Sequence, residues 1–274
     1  MSHLGLKSAT RSGRDGGRLP SKGWPGAWHA GNQQIPFHLI KQFIAEWKYS
    51  LLGKFKGYGL EGLDLRLLAH LHAKQVIKGG YFVELGANNG LFQSNTYLLQ
   101  QRFGWTGLLI EPSPVQYIQC VRNRSFGQTP QFRCAACVDF GYQRPFVEMS
   151  YSDLMTVSHG LNIDHETALK HAERGRSFLR SKNEAHMFGA LARTLTSLLD
   201  EVCAPYQFEF LSLDVEGNEM SVLRGLDFAR YQPRWILVES RSDDISNFLC
   251  SHGYQQSAIL SDHGNYYDIL FEWA

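Results

Sequence analysis

Long apolar runs are missing from this sequence. No stretch approaches the ~20 consecutive apolar residues that a helix needs to cross a bilayer, so no membrane span is expected. The first 30 residues lack the apolar centre of a secretory signal. Cysteine is scarce: Cys120, Cys134, Cys137, Cys203 and Cys250 form an odd, scattered set. That excludes a disulfide framework and fits reduced thiols in a cytoplasmic protein. Cys134 and Cys137 form a lone CxxC. No second pair exists to complete a zinc site, and on a strand two residues three apart point to opposite faces. An excess of one charge is lacking too. The formal net charge is +1, which gives the whole chain no nucleic-acid-binding character. The charge is nonetheless uneven, because residues 1–35 hold Lys7, Arg11, Arg14, Arg18 and Lys22 against Asp15 alone. This Gly- and Ser-rich basic stretch is read as an irregular tail.

What remains is ordinary globular material. The chain has 274 residues and a hydrophobic share of 43%, enough for one large α/β domain. Apolar residues at helical spacing predict helices over 37–52 and 63–77, the second ended by Lys78-Gly79-Gly80. These make residues 36–78 an N-terminal helical region ahead of a domain over 79–274. Within that domain, strands are expected at 81–85, 107–111, 131–138, 208–214, 235–239, 255–260 and 266–271, with helices at 91–102 and 115–123. Strands alternating with helices imply a parallel sheet covered on both faces. The link over 261–265 is too short for a parallel crossover, so the last two strands must form an antiparallel hairpin. The fold class is therefore α/β, Rossmann-like, with a seven-stranded, mostly parallel sheet ending in an antiparallel hairpin. A polar segment over 158–187, carrying His159, His165, His171 and His186, interrupts the rhythm. It is read as an insertion over the carboxyl ends of the strands, or else as a solvated surface helix.

The chemistry centres on Val83-Glu84-Leu85-Gly86-Ala87-Asn88-Asn89-Gly90, a strand running into a Gly-rich turn with a helix expected next. Amides left free at the helix start would suit an anionic or zwitterionic ligand. Dinucleotides and S-adenosylmethionine both use such turns. The dinucleotide fingerprint G-x-G-x-x-G needs a middle glycine to admit the pyrophosphate. Here Asn88 stands in that place and Leu91 in the last, which disfavours a nicotinamide-dependent oxidoreductase. S-adenosylmethionine has no phosphate and carries a positive sulfonium and ammonium, so Glu84 before the turn is chemically sensible. Glu111, at the end of the second strand, is placed to accept both ribose hydroxyls. A branched side chain at Gly86 is expected to intrude on ligand space. In a doubly wound sheet the fourth strand lies beside the first, which brings Asp214 and Glu216 to the point where ligands bind.

These blocks resemble FkbM-type methyltransferases, a family named for an enzyme that methylates a hydroxyl of a macrolide. The matching pieces are residues 80–90, Gln93-Ser-Asn-Thr96, residues 104–112, Asn123-Arg124, Leu211-Ser-Leu-Asp-Val-Glu-Gly-Asn-Glu219, residues 222–225, Trp235-Ile-Leu-Val-Glu239 and Asp268-Ile-Leu-Phe271, together covering roughly 79–272. Asn89 departs from the Asp that many relatives carry. The resemblance implies S-adenosyl-L-methionine as cofactor, with contacts from Glu84, Gly86, Ala87, Asn88, Gly90, Glu111 and Asp214. It implies an adenine pocket along Ala136, Cys137 and Val138. Gln93, Ser94 and Asn95 would lie beneath the methionine end, although Ser94 and Asn95 also suit helix capping.

The implied reaction is methylation of a hydroxyl on a small molecule, sugar, glycan or secondary metabolite. An alcohol benefits from a general base near its proton. Asp214 and Glu216 are the catalytic candidates by position, with a histidine of the insertion as the alternative. A divalent cation held by Asp214 and Glu239 is another way to lower the hydroxyl pKa. The competing reading is a non-catalytic interaction module of the same fold, against which the intact acids and glycines argue.

Overall fold

The computed structural model describes residues 56–76, 78–151, 157–158 and 186–274. The basic tail, the expected helix over 37–52 and residues 159–185, with His159, His165 and His171, lie outside the described residues. The first helix, α1 (Leu63–Ala73), buries Leu63, Leu67, Leu68 and Leu71. It ends before the glycines expected to stop it, at Lys74, and Gln75 then takes a left-handed φ of 61°.

Strand β1 (Tyr81–Leu85) is covered on both faces. Phe82 joins one hydrophobic cluster with α1, Leu98, Trp105 and Trp235, whereas Val83 and Leu85 join the other with Leu198, Leu211 and Ile236. Alternation along a strand buried on both sides requires this division. Helix α2 (Tyr97–Phe103) starts later than the expected Leu91, and residues 86–96 form a loop instead. After β2 (Thr106–Ile110) comes α3 (Pro114–Arg124), opened by a proline whose missing N–H costs nothing there.

The strand expected over 131–138 is split. Strand β3 (Gln131–Arg133) pairs with β2, while β4 (Ala136–Cys137) leaves for a second sheet. That sheet contains β5 (Phe146–Tyr151), β6 (Val157–Ser158) and β7 (His186–Arg193), in the order β4-β7-β5-β6. Both described ends of the supposed insertion are thus strands. Helix α4 (Leu195–Glu201) is capped by Thr194, whose side chain accepts the Ser197 N–H. Then follow β8 (Gln207–Leu213), α5 (Glu219–Arg224), β9 (Gln232–Ser240), α6 (Asp243–Ser251), β10 (Tyr254–Asp262) and β11 (Tyr267–Trp273).

The main sheet runs β10-β11-β9-β8-β1-β2-β3. β1 pairs in parallel with β2 and β8, and β8 with β9; β11 runs antiparallel to β9 and β10. This is the Rossmann-like sheet with the terminal hairpin. The chain steps outward from β1 to β3 and then returns to lay β8 beside β1, so a crevice opens at the carboxyl ends of β1 and β8. Among the described residues, no helix is long and apolar enough to cross a membrane.

Candidate active site

A cleft of about 840 Å³, its open mouth included, lies at that switch point. Gly86, Asn88, Glu111, Cys137, Asp214 and Glu216 all line it. The turn after β1 is held in an unusual conformation, with φ of 74° at Gly86, 45° at Asn88, 78° at Gly90 and 59° at Gln93. Its amides are not free. Gly86 and Ala87 N–H both donate to the Ile110 carbonyl at 3.1 Å, Gly90 N–H to the Ala87 carbonyl at 2.8 Å, and Leu91 and Phe92 N–H to Asn89 Oδ1 at 3.0 and 2.9 Å. The Asn89 side chain thus caps the turn as an N-cap would, but Gln93 then takes a left-handed φ of 59°, and the helix starts only at Tyr97. The expected row of ligand-binding amides is spent inside the protein.

Glu111 follows the last residue of β2. Its Oε2 accepts Asn88 N–H and its Oε1 accepts Ser113 N–H, each at 2.8 Å. These two bonds fix the orientation of a carboxylate that lines the cleft.

Glu84 departs from expectation. Its carboxylate is buried beneath the turn and accepts Ser94 Oγ–H at 3.1 Å, Asn95 N–H at 2.8 Å and Thr96 Oγ1–H at 2.6 Å, and pairs with Arg124 Nη1 at 3.4 Å. The reason is charge balance: Arg124 is fully buried, and a buried cation needs a counter-charge. Ser94 and Asn95 belong to the same buried network. Ser94 Oγ accepts the Tyr97 N–H at the start of α2, and the Asn95 amide donates to Ser212 Oγ at 3.1 Å. None of Glu84, Ala87, Gly90, Ser94 and Asn95 lines the cleft.

On the other side, Asp214 follows the end of β8, next to Glu239 on β9, and Glu239 pairs across with Asp268 on β11. Asp214 is open to solvent at the cleft but crowded by protein elsewhere. Desolvation, followed by repulsion from Glu239 and Asp268, pushes its carboxyl up to about 7. Burial and then Asp214 raise Glu216 well above the usual carboxylate range. Glu239 is likewise pushed up to about 7 by burial, although the Arg241 guanidinium bonded to it opposes the shift. Arg241 pairs with Glu239 and His263 with Asp268, which leaves Asp214 and Glu216 as the two acids that line the cleft. That wall of the site suits a positively charged ligand.

The FkbM methyltransferase domain model matches residues 84–256. This chain belongs to that family. A protein named Methyltransferase 1 from Beauveria bassiana (strain ARSEF 2860) is 25% identical over 161 residues, covering 58% of this chain and 62% of that protein. The match thus spans less than two thirds of that relative. Among solved structures, the magnesium protoporphyrin IX methyltransferase from Synechocystis PCC 6803 with bound SAH is 11% identical, covering 85% of this chain and 100% of that one at a TM-score of 0.41. A putative RNA methyltransferase from Pyrococcus horikoshii is 10% identical, covering 86% and 96% at 0.39.

In this FkbM-family chain the cleft also contains residues that the sequence did not single out. Phe92, 56% exposed, lines it from the turn. Met149 on β5 and its register partner Ser158 on β6 line it from the second sheet, and the buried Ser158 hydroxyl has no hydrogen-bond partner among the described residues. An aromatic exposed beside the glycines was a readable signal, but the second sheet was not foreseen. Cys137 lines the cleft as an inert wall, since burial pushes its thiol up to about 12. Cys134 and Cys137 are both free. His186 lies against Tyr151 with ring centroids 5.0 Å apart and the rings tilted by 31°, and it does not line the cleft. Among the described residues no group of three or more His, Cys, Asp or Glu side chains is arranged to hold a metal ion.

Proposed function

We propose that this FkbM-family chain is an S-adenosyl-L-methionine-dependent methyltransferase that methylates a hydroxyl on a small molecule, sugar or secondary metabolite. One observation carries the reading: a single cleft joins the Glu111 carboxylate, an apolar wall at Ala135–Cys137 and the acids Asp214 and Glu216. Those three surfaces fit, in order, a ribose diol, an adenine ring and a cationic sulfonium with its ammonium. When bound, S-adenosylmethionine supplies the electrophilic methyl group. The chain does the rest. Gly86, Asn88, Glu111, Cys137 and Asp214 are the residues assigned to hold the cofactor.

Asp214 Oδ or Glu216 Oε accepts the hydroxyl proton. Asp214, pushed up to about 7, is better matched to that task than an ordinary carboxylate, because it takes the proton more readily while still ionised in useful amount, and Glu216 is shifted in the same direction. The same acids repel a polyphosphate backbone, which favours a small or glycan acceptor over nucleic acid. The free cysteines support a reducing compartment, which we read as the cytoplasm. Residues 79–274 form the methyltransferase domain, with 36–78 as its helical lead-in, 1–35 as a basic tail and 158–187 as an elaboration over the cleft.

The test is transfer of labelled methyl from S-adenosylmethionine to a metabolite extract, beside stabilisation by S-adenosylhomocysteine. Label appearing on a hydroxyl supports the assignment. A protein that binds neither compound and labels nothing does not have this function.

A further inference from the structure

The turn after β1 places four residues, Gly86, Asn88, Gly90 and Gln93, at positive φ within a short stretch. Such a backbone persists only when its surroundings over-determine it. The segment from the end of β2 through α3 does so by gripping three consecutive turn residues. Glu111 takes the Asn88 N–H at 2.8 Å. Asn123, near the end of α3, donates its side-chain amide to the Asn89 carbonyl at 2.8 Å. Arg124 donates Nη1–H to the Gly90 carbonyl at 3.1 Å.

Arg124 is itself locked. Its Nε donates to Gln100 Oε1 at 2.5 Å, Nη1 to Ser94 Oγ at 3.1 Å and Nη2 to Thr96 Oγ1 at 3.0 Å. Its head lies 5.4 Å from the Phe82 ring centre and 5.5 Å from that of Tyr97. Its stem leaves no space at Gly90, where a Cβ would fall 2.7 Å from Arg124 Cγ. A guanidinium is suited to this role, because its planar fork presents several donors in fixed directions while remaining charged when buried.

We propose that Asn123 and Arg124 are positioning residues that hold the cofactor-binding turn in its binding conformation, and that Glu84 acts by anchoring Arg124 rather than by touching the cofactor. This rests on the turn being the S-adenosylmethionine site. Asn123 bonds the Asn89 carbonyl, and none of Asn123, Arg124 and Glu84 lines the cleft. Their effect on a ligand must therefore pass through the backbone of Asn89 and Gly90.

The experiment compares Asn123→Ala and the paired replacement Glu84→Leu with Arg124→Met against the wild type. S-adenosylhomocysteine affinity is measured by calorimetry, and backbone amide exchange is followed in the unliganded proteins. Removing both buried charges together avoids stranding either one. Asn123 is only half-buried, so its variant keeps the fold and decides the matter alone if the paired variant does not fold. The expected result is affinity weakened fivefold or more in Asn123→Ala and tenfold or more in the paired variant. Exchange should be faster over residues 88–93 and unchanged in β1, β8 and β9. Wild-type affinity in both variants, or faster exchange spread evenly over the sheet, overturns the positioning role. Failure of the wild type itself to bind S-adenosylhomocysteine overturns the cofactor assignment, and the positioning role with it.

Discussion

Gly86 sits directly against the Asp214 carbonyl: a Cβ on Gly86 would lie 1.9 Å from that oxygen. The glycine is required because the end of β8 passes against the turn after β1, and its φ of 74° adds a second reason. A side chain on Gly86, expected from the sequence to intrude on ligand space, would instead meet the backbone of Asp214. The two strand ends that frame the cleft are in contact, and any side chain here must prise them apart.

Gly86→Val should accordingly destabilise the fold as well as abolish cofactor binding. Overpacking against rigid backbone together with a strained φ belongs to the severe class of substitutions, on the order of 3 kcal/mol or more. Urea unfolding measures it. A variant with wild-type stability that merely fails to bind ligand would return the role of Gly86 to the ligand alone.

Glu111→Ala should lower S-adenosylhomocysteine affinity about tenfold to a hundredfold, through loss of charge-assisted hydrogen bonds worth roughly 1.5–3 kcal/mol. Asn88 N–H also loses its acceptor, so part of the loss arises from the turn. Calorimetry that finds the affinity unchanged removes Glu111 from the site.

Asp214→Asn and Glu216→Gln separate turnover from binding. Loss of a general base costs about 10²–10⁴-fold in rate, so at least one variant should retain S-adenosylhomocysteine binding while losing turnover. Once an acceptor is in hand, single-turnover kinetics reads this directly. Two variants that both bind and methylate like the wild type would mean that neither acid is the base.

The crowded acids also set a pH dependence. Asp214 rises from 3.8 to about 7 and Glu239 from 4.5 to about 7, so between those limits the folded protein holds protons that the unfolded chain has released. The linkage sign is then fixed: stability from these groups is present at the acid end and is lost as pH rises through about 7. Denaturant unfolding should show a smaller decline between pH 5 and pH 8 in Asp214→Asn than in the wild type. Equal slopes would place the proton elsewhere. Affinity for the cationic cofactor should move the other way, strengthening as the acids ionise.

Ser158→Ala should stabilise the ligand-free protein. A buried hydroxyl without a partner carries a desolvation penalty of about 1–3 kcal/mol, which the substitution removes. Thermal unfolding without ligand gives the answer, and a lowered melting temperature would show that the hydroxyl is satisfied.

Much of this architecture could be read from local pattern. The apolar runs at 81–85 and 208–214, the glycines of the first turn and the short link over 261–265 each act through neighbours in sequence. Period, turn chemistry and link length therefore sufficed to predict a parallel sheet with an antiparallel end, and with it the meeting of Gly86, Glu111 and Asp214 at the switch point. The direction of a side chain is another matter. Glu84 was read as a cofactor ligand because an acid precedes the turn, but its partner Arg124 lies 40 residues away, and only packing brings that buried cation beneath the turn. The turn amides were expected to be free, yet Ile110, which ends the next strand, and Glu111 just after it take three of them. The second sheet was missed because β4 and β5 are separated in sequence from their partner β7, so nothing local marks their pairing. Spacing determines which residues can form an element; whether a buried charge faces a ligand or an ion-pair partner depends on which distant group reaches it first, and that is a property of the packed chain.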